Sequence, residues 1–140
     1  MPNILKTVFF VILGLLIGSA VNFSLIMVSG QIIPPPMGAD ITTMEGLKNS
    51  IHLFEPKHFL FPFLAHALGT FVGASIATRF VSEEPLKYAL VIGIFFLVGG
   101  ISNSVSIPSP VWFVILDLGL AYIPMSYFAY QMFGIKNSKH

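Results

Sequence analysis

The stretch Phe59–Phe80, FLFPFLAHALGTFVGASIATRF, is apolar over the ~20 residues that a bilayer crossing needs. Inside a bilayer no water satisfies the peptide groups, so an isolated stretch of this kind has one stable conformation, the α-helix. Wound at about 3.6 residues per turn, it brings His66, Gly69, Thr70, Gly73, Ala74 and Ala77 onto one face. Leu64, Leu68, Phe71, Val72 and Ile76 populate the other. Lipid tails gain nothing from glycine, whereas a second helix can approach a small-residue face closely. The segment therefore predicts a helix that crosses the membrane and packs one side against a partner helix.

Three further runs share its character. Ile4–Ser29 is broken only by Lys6 near its start and by Asn22, and places Gly14, Gly18 and Asn22 in line at i, i+4, i+8. Leu86–Ile107 carries Gly93, Gly99, Gly100 and Asn103, and Val111–Gly134 carries Asp117 and Pro124. Only 9% of the 140 residues are charged and the mean hydropathy is +0.85, where soluble domains carry about 25% charged residues. The expectation is one transmembrane domain over residues 1–140: an all-α, integral membrane four-helix bundle. Its spans fall at about 4–29, 57–80, 86–107 and 111–134, with a loop at 30–56. The glycines at 14, 18, 69, 73, 99 and 100 are the expected helix-packing positions. The first run also has the outline of a signal peptide ending at Gly18-Ser19-Ala20, but its apolar character continues to Val28, which favours a retained span. A formal charge of +1 gives no reason to expect nucleic-acid binding, which needs clustered basic surface. The absence of cysteine excludes disulfides, thiolate metal sites and thiol catalysis together.

The loop opens with Ile33-Pro34-Pro35-Pro36, which must be extended, and Gly38, which permits a turn. Asp40 or Thr42 can cap a short amphipathic helix running to about Phe54, lying on the bilayer or roofing the bundle. His52, Glu55 and His58 are weak metal candidates, because Pro56 breaks the helix that would align them and Lys57 sits among them. Four spans place both termini and the Ser82–Pro85 turn on one side. That side collects Lys6, Arg79, Lys87, Lys136 and Lys139 against Lys48 and Lys57 on the other, which favours cytoplasmic termini and an outer loop.

With that topology each span buries one strongly polar residue in the outer half. By helical rise, Asn22 lies about 10 Å, His66 about 12 Å, Asn103 about 6 Å and Asp117 about 9 Å from the outer ends of their spans. The four are expected to face a common interior. They can serve as structural hydrogen bonds between helices, as a proton or cation site at Asp117 and His66, or as acid–base groups acting on a lipid. One carboxylate, one imidazole and no evident nucleophile give an enzyme thin support. No P-loop, dinucleotide fingerprint or HExxH motif occurs, and nothing calls for a cofactor. Gly18-Ser-Ala-Val-Asn22 and Gly99-Gly-Ile-Ser-Asn103 form a faint echo that suggests a parallel two-hairpin repeat.

The run Gln31-Ile-Ile-Pro-Pro-Pro-Met-Gly-Ala-Asp40, followed by His58-Phe-Leu-Phe-Pro-Phe-Leu-Ala-His-Ala-Leu-Gly-Thr-Phe-Val-Gly-Ala74, resembles a group of small uncharacterised bacterial membrane proteins. In these an outer Pro-Pro-Pro-x-Gly-x-Asp loop precedes an Ala-His-Ala-x-Gly-Thr-x-x-Gly-Ala span. The resemblance covers the first half of the chain and implies a four-span protein of a bacterial inner (plasma) membrane, with no known activity. Two functions remain open. One is a non-catalytic structural or accessory subunit that offers a leftover small-residue face to a larger membrane-protein partner. The other is a small proton- or cation-coupled carrier or channel, acting as a homo-oligomer and using Asp117 and His66.

Overall fold

A computed structural model describes residues 3–135; Lys136 and Lys139, used above to orient the chain, lie outside the described residues. The α-helices are α1 (Asn3–Ile32), α2 (Met44–Ser50), α3 (Leu60–Phe80), α4 (Pro85–Ser106), α5 (Val111–Leu120) and α6 (Ile123–Phe133). Four helical segments, Asn3–Ile32, Pro56–Phe80, Pro85–Ser106 and Val111–Phe133, are long and apolar enough to cross a membrane. They coincide with the expected spans to within three residues at every end. The protein is thus an all-α, multi-pass membrane bundle. The largest difference is in α1, which continues through Gly30–Ile32, because nothing there breaks a helix until Ile33 is forced out of helical geometry by Pro34.

α3 is the hub, packed against α1, α4 and α6. α1 runs antiparallel to it, with Phe10 stacked on Phe80 at 4.6 Å and Asn3 Nδ2 donating to Glu83 Oε1 at 3.1 Å near the α3–α4 turn. Their contact is backbone on backbone. A Cβ placed on Gly14 would stand 2.5 Å from the Gly73 carbonyl oxygen, and one on Gly18 2.6 Å from that of Gly69. The reciprocal distances, Gly69 to Gly18 O and Gly73 to Gly14 O, are 2.8 and 2.7 Å. No real Cβ fits there, so glycine is what permits this approach.

Small side chains make up much of the remaining core, around the larger Ile92, Phe96 and Tyr122. Ala65, Ala74, Ala77, Ala89, Ala121, Ala129, Thr70, Thr78 and Ser126 are wholly buried. The face of α3 expected to meet lipid is largely covered as well: Leu68 is exposed, but Phe71 packs on Phe128 and Phe133 of α6. A hub helix contacted by three neighbours keeps little surface for lipid. Gly100 of α4 also packs, its missing side chain leaving room for the Tyr122 hydroxyl. Gly99 does not. It is exposed and no described residue lies within 4 Å of its Cβ position, so the expectation that it packs within the bundle is corrected: α4 turns this side toward a cleft. The suggested repeat fades for the same reason, since Gly18 is clamped while its counterpart Gly99 is free.

The fourth span is two helices. Pro124 lacks an amide hydrogen, and the chain turns at Ala121–Tyr122 before α6 starts, with Tyr122 at φ −114°, ψ −78°.

The loop folds into a roof. α2 is capped by Thr43, whose Oγ1 accepts from Gly46 N at 2.9 Å, rather than by Asp40 or Thr42 as the sequence suggests. Asp40 instead closes a local turn, its Oδ1 accepting from the Thr42 amide at 2.9 Å and the Thr42 hydroxyl at 2.6 Å. These bonds hold the Asp40 carboxyl below its ordinary pKa, chiefly through the Thr42 hydroxyl. The turn is therefore intact above the ordinary carboxylate range and loosens as pH falls through the lowered value. Two 3₁₀ turns, Ile51–Leu53 and Pro56–Phe59, lead into α3. Ile51, Phe59, Ile107 and Phe113 form an apolar cluster that pins the roof to the ends of α4 and α5.

Gly69→Leu should lower bundle stability by about 3 kcal/mol, because backbone on both sides leaves the side chain no space. Gly99→Leu, which projects into open space, should change it by less than about 0.5 kcal/mol. Reversible unfolding in mixed micelles measures both.

Candidate functional site

Two of the four expected polar residues meet directly. His66 Nδ1 lies 2.8 Å from Asp117 Oδ1, joining α3 to α5 at membrane depth. Asp117 is 4% exposed and held from its other side by Tyr122, whose hydroxyl donates to Oδ2 at 3.1 Å. The Tyr122 ring also stacks on the His66 imidazole, with centroids 5.8 Å apart at 25°. The result is a closed triad in which both carboxylate oxygens have partners. Such satisfaction is what makes a carboxylate tolerable inside a membrane protein.

Tyr122 was not expected in the site, and the reason is geometric. Five residues along a regular helix turn the side chain by about 140° from Asp117. Only the break between α5 and α6 swings Tyr122 back onto the carboxylate. Pro124, two residues on, was the available signal, but it marks a kink without giving its direction. Gly100 completes the arrangement, since any side chain there would strike the tyrosine ring.

The other two polar residues stand apart. Asn22 packs on Gly69, one turn from His66, and its Oδ1 is buried without a hydrogen-bond partner among the described residues. Asn103 is exposed. Both line a cleft of about 800 Å³, together with His66 and Tyr122. Asp117 lies behind these two and does not line it. The walls of the cleft are α1, through Asn22, Phe23, Ile26 and Met27, and α4, through Phe96, Gly99, Gly100 and Asn103. α1 and α4 hardly touch one another, so the cleft is open between them. The roof above it is the loop, including Pro35, Ile41, Met44 and Leu47. At the opposite end it closes where Phe96 Cζ reaches 3.1 Å from the Cβ position of Gly18. It is a dead-ended pocket whose walls are mainly apolar and whose floor carries His66 and Tyr122 with Asn22 beside them, inside the roughly 300–1,000 Å³ range of ligand sites.

The weak metal candidates are not gathered: among the described residues no group of three His, Asp or Glu stands close enough to hold a metal ion. His58 has a different task. Its Nδ1 accepts from the Glu55 amide at 2.9 Å, so its Nε2 carries the hydrogen and donates to the Pro34 carbonyl at 3.1 Å. The imidazole thereby staples the proline run to the start of the second span. His52 is exposed and Glu55 pairs with Lys57 at 3.4 Å in solvent.

No protein-family model, curated protein or solved structure matches this chain.

Asp117→Leu should destabilise by about 2–4 kcal/mol, since it strands a donor on each of His66 and Tyr122. Asp117→Asn, which keeps most of the shape, should cost about 1 kcal/mol or less, and Tyr122→Phe, which leaves the buried Oδ2 without its donor, about 1–3 kcal/mol. Separately, His58→Ala should raise hydrogen exchange across residues 33–40 while leaving the spans protected.

Proposed function

We infer that the protein is a small membrane carrier whose ligand site is the cleft and whose His66–Asp117 pair takes up and releases a proton as the site is occupied. The observation that supports this reading is the way the pair is presented. The carboxylate is buried and fully partnered, while the imidazole edge forms part of the cleft floor. With Asp117 ionised, Nδ1 carries the shared hydrogen and Nε2 turns a lone pair to the cleft. A proton arriving from the cleft converts the ring to imidazolium beside its counter-ion, and no backbone need move. Tyr122, the other titratable group on the floor, is a donor to the carboxylate. Lys57 and His58 stand at the roof, Lys57 half committed to Glu55 and His58 to its staple.

The dead end at Phe96 and Gly18 favours a carrier over a channel, because an open pore needs a continuous path. The accessory-subunit reading relied on a small-residue face left over after the bundle forms. Gly14, Gly18, Gly69, Gly73 and Gly100 are all occupied within the chain, which leaves Gly99 as its support. For orientation, Lys6, Arg79 and Lys87 cluster at the end carrying the N-terminus, and Lys48 and Lys57 lie in the loop. This balance favours cytoplasmic termini in a bacterial inner membrane.

Nitrogen NMR of ¹⁵N-histidine protein in lipid nanodiscs tests the reading. The His66 ring should titrate reversibly with the fold intact, and its titration should change in Asp117→Asn. A ring that keeps one tautomer at every pH at which the protein stays folded would make the pair a structural bond and end the carrier proposal.

A further inference from the structure

We propose that the cleft binds a neutral, hydroxyl-headed amphiphile, a long-chain alcohol or its glycerol or phenol counterpart, taken laterally from the bilayer between α1 and α4. This names the substrate class of the carrier site proposed above and rests on that reading for its link to proton exchange.

The walls set the body of the ligand. Phe23, Ile26 and Met27 on one side and Phe96 and Ile107 on the other are apolar, and the three on α1 remain exposed because no described residue covers them. An occupant lying between them must be apolar along its length. The opening between α1 and α4 faces the side of the bundle, where the surrounding medium is lipid, whereas the loop roofs the route from water. Access from the bilayer is therefore the direct one.

The floor sets the head. Asn22 carries a buried oxygen with no partner, and His66 Nε2 bonds to no described group. With Nδ1 committed to Asp117, Nε2 is an acceptor. A hydroxyl both donates and accepts, so it satisfies the imidazole and either orientation of the Asn22 amide. A carboxylate or phosphate only accepts. With His66 neutral it would oppose the Nε2 lone pair, and in either state it would stand close to the Asp117 charge, whereas a hydroxyl can pair with the ring in both. A hydrocarbon would leave both the imidazole Nε2 and the Asn22 amide without a partner from the cleft.

The ends set the kind of occupant. A transmembrane helix from a partner or a second copy would have to run the full depth of the membrane along α1 and α4. The roof closes one end, and Phe96 against Gly18 closes the other. A single chain-like molecule fits a dead-ended slot, and a spanning helix does not.

Photolabelling of the full chain in phosphatidylcholine nanodiscs tests this, using an oleyl alcohol that carries a diazirine near the hydroxyl, with labelled peptides mapped by mass spectrometry. Labels should concentrate on the segments bearing Asn22, His66 and Gly99–Asn103. Oleyl alcohol should compete, while oleate and 1-octadecene compete at least about tenfold less well, the factor expected for one buried hydrogen bond. Asn22→Leu should lower the labelling by about tenfold, and Gly99→Leu, which fills the slot without disturbing the core, should abolish it. Equal competition by oleate or octadecene, labels spread over the lipid-facing perimeter, or a photo-crosslinked second protein in the cleft would each overturn the proposal. The two readings fail separately. Competed labelling with a His66 that does not titrate removes the proton coupling alone. A titrating His66 without competed labelling removes the ligand class alone.

Discussion

The contact of Gly14 and Gly18 with Gly73 and Gly69 is the constraint on which the rest of the bundle depends. Lipid offers helices no hydrophobic reason to associate, so association comes from close van der Waals packing and a few polar bonds. Backbone-to-backbone approach gives α1 its position against α3, and that position has a consequence one turn further on. Phe96 of α4 covers Gly18, but beyond it α1 and α4 separate, and the cleft exists because they do. A bulkier pair of helices would meet α3 farther out and leave neither the clamp nor a defined floor.

The polar triad occupies the point where that geometry meets a broken helix. An intact fourth span would present Asp117 to His66 and leave one carboxylate oxygen without a partner. The turn at Ala121–Tyr122 supplies it, and Gly100 supplies the room. Each of the three devices, break, tyrosine and glycine, is unremarkable alone. Together they let a carboxylate sit at membrane depth while its histidine stays in touch with a cavity. This division leaves one partner buried and satisfied and the other at the edge of the cleft.

The loop contributes by being held, not by being rigid in itself. Its proline run has no hydrogen-bonding pattern of its own, so it is tied down from outside, by the His58 staple at one end and the Ile51–Phe59–Ile107–Phe113 cluster at the other. These anchors lie over the cleft.

Much of this was legible in the chain. The four spans follow from length and apolarity, because lipid leaves a backbone of that length one conformation. The glycine faces at 14, 18, 69 and 73 follow from helical periodicity, and the shared depth of Asn22, His66 and Asp117 follows from helical rise. These are local properties, and the sequence by itself determined them. What only the tertiary structure decided is direction. Gly99 and Gly100 are adjacent in sequence and identical in chemistry, yet one faces a cleft and the other a tyrosine. Asn103 and Asp117 have similar depth, yet one is exposed and the other buried. Tyr122 joins the site only because the helix breaks toward it. The rotation of a helix about its own axis, and the direction of a kink, are set by what packs against them; the four helices had to be assembled before the polar residues could be sorted into a site.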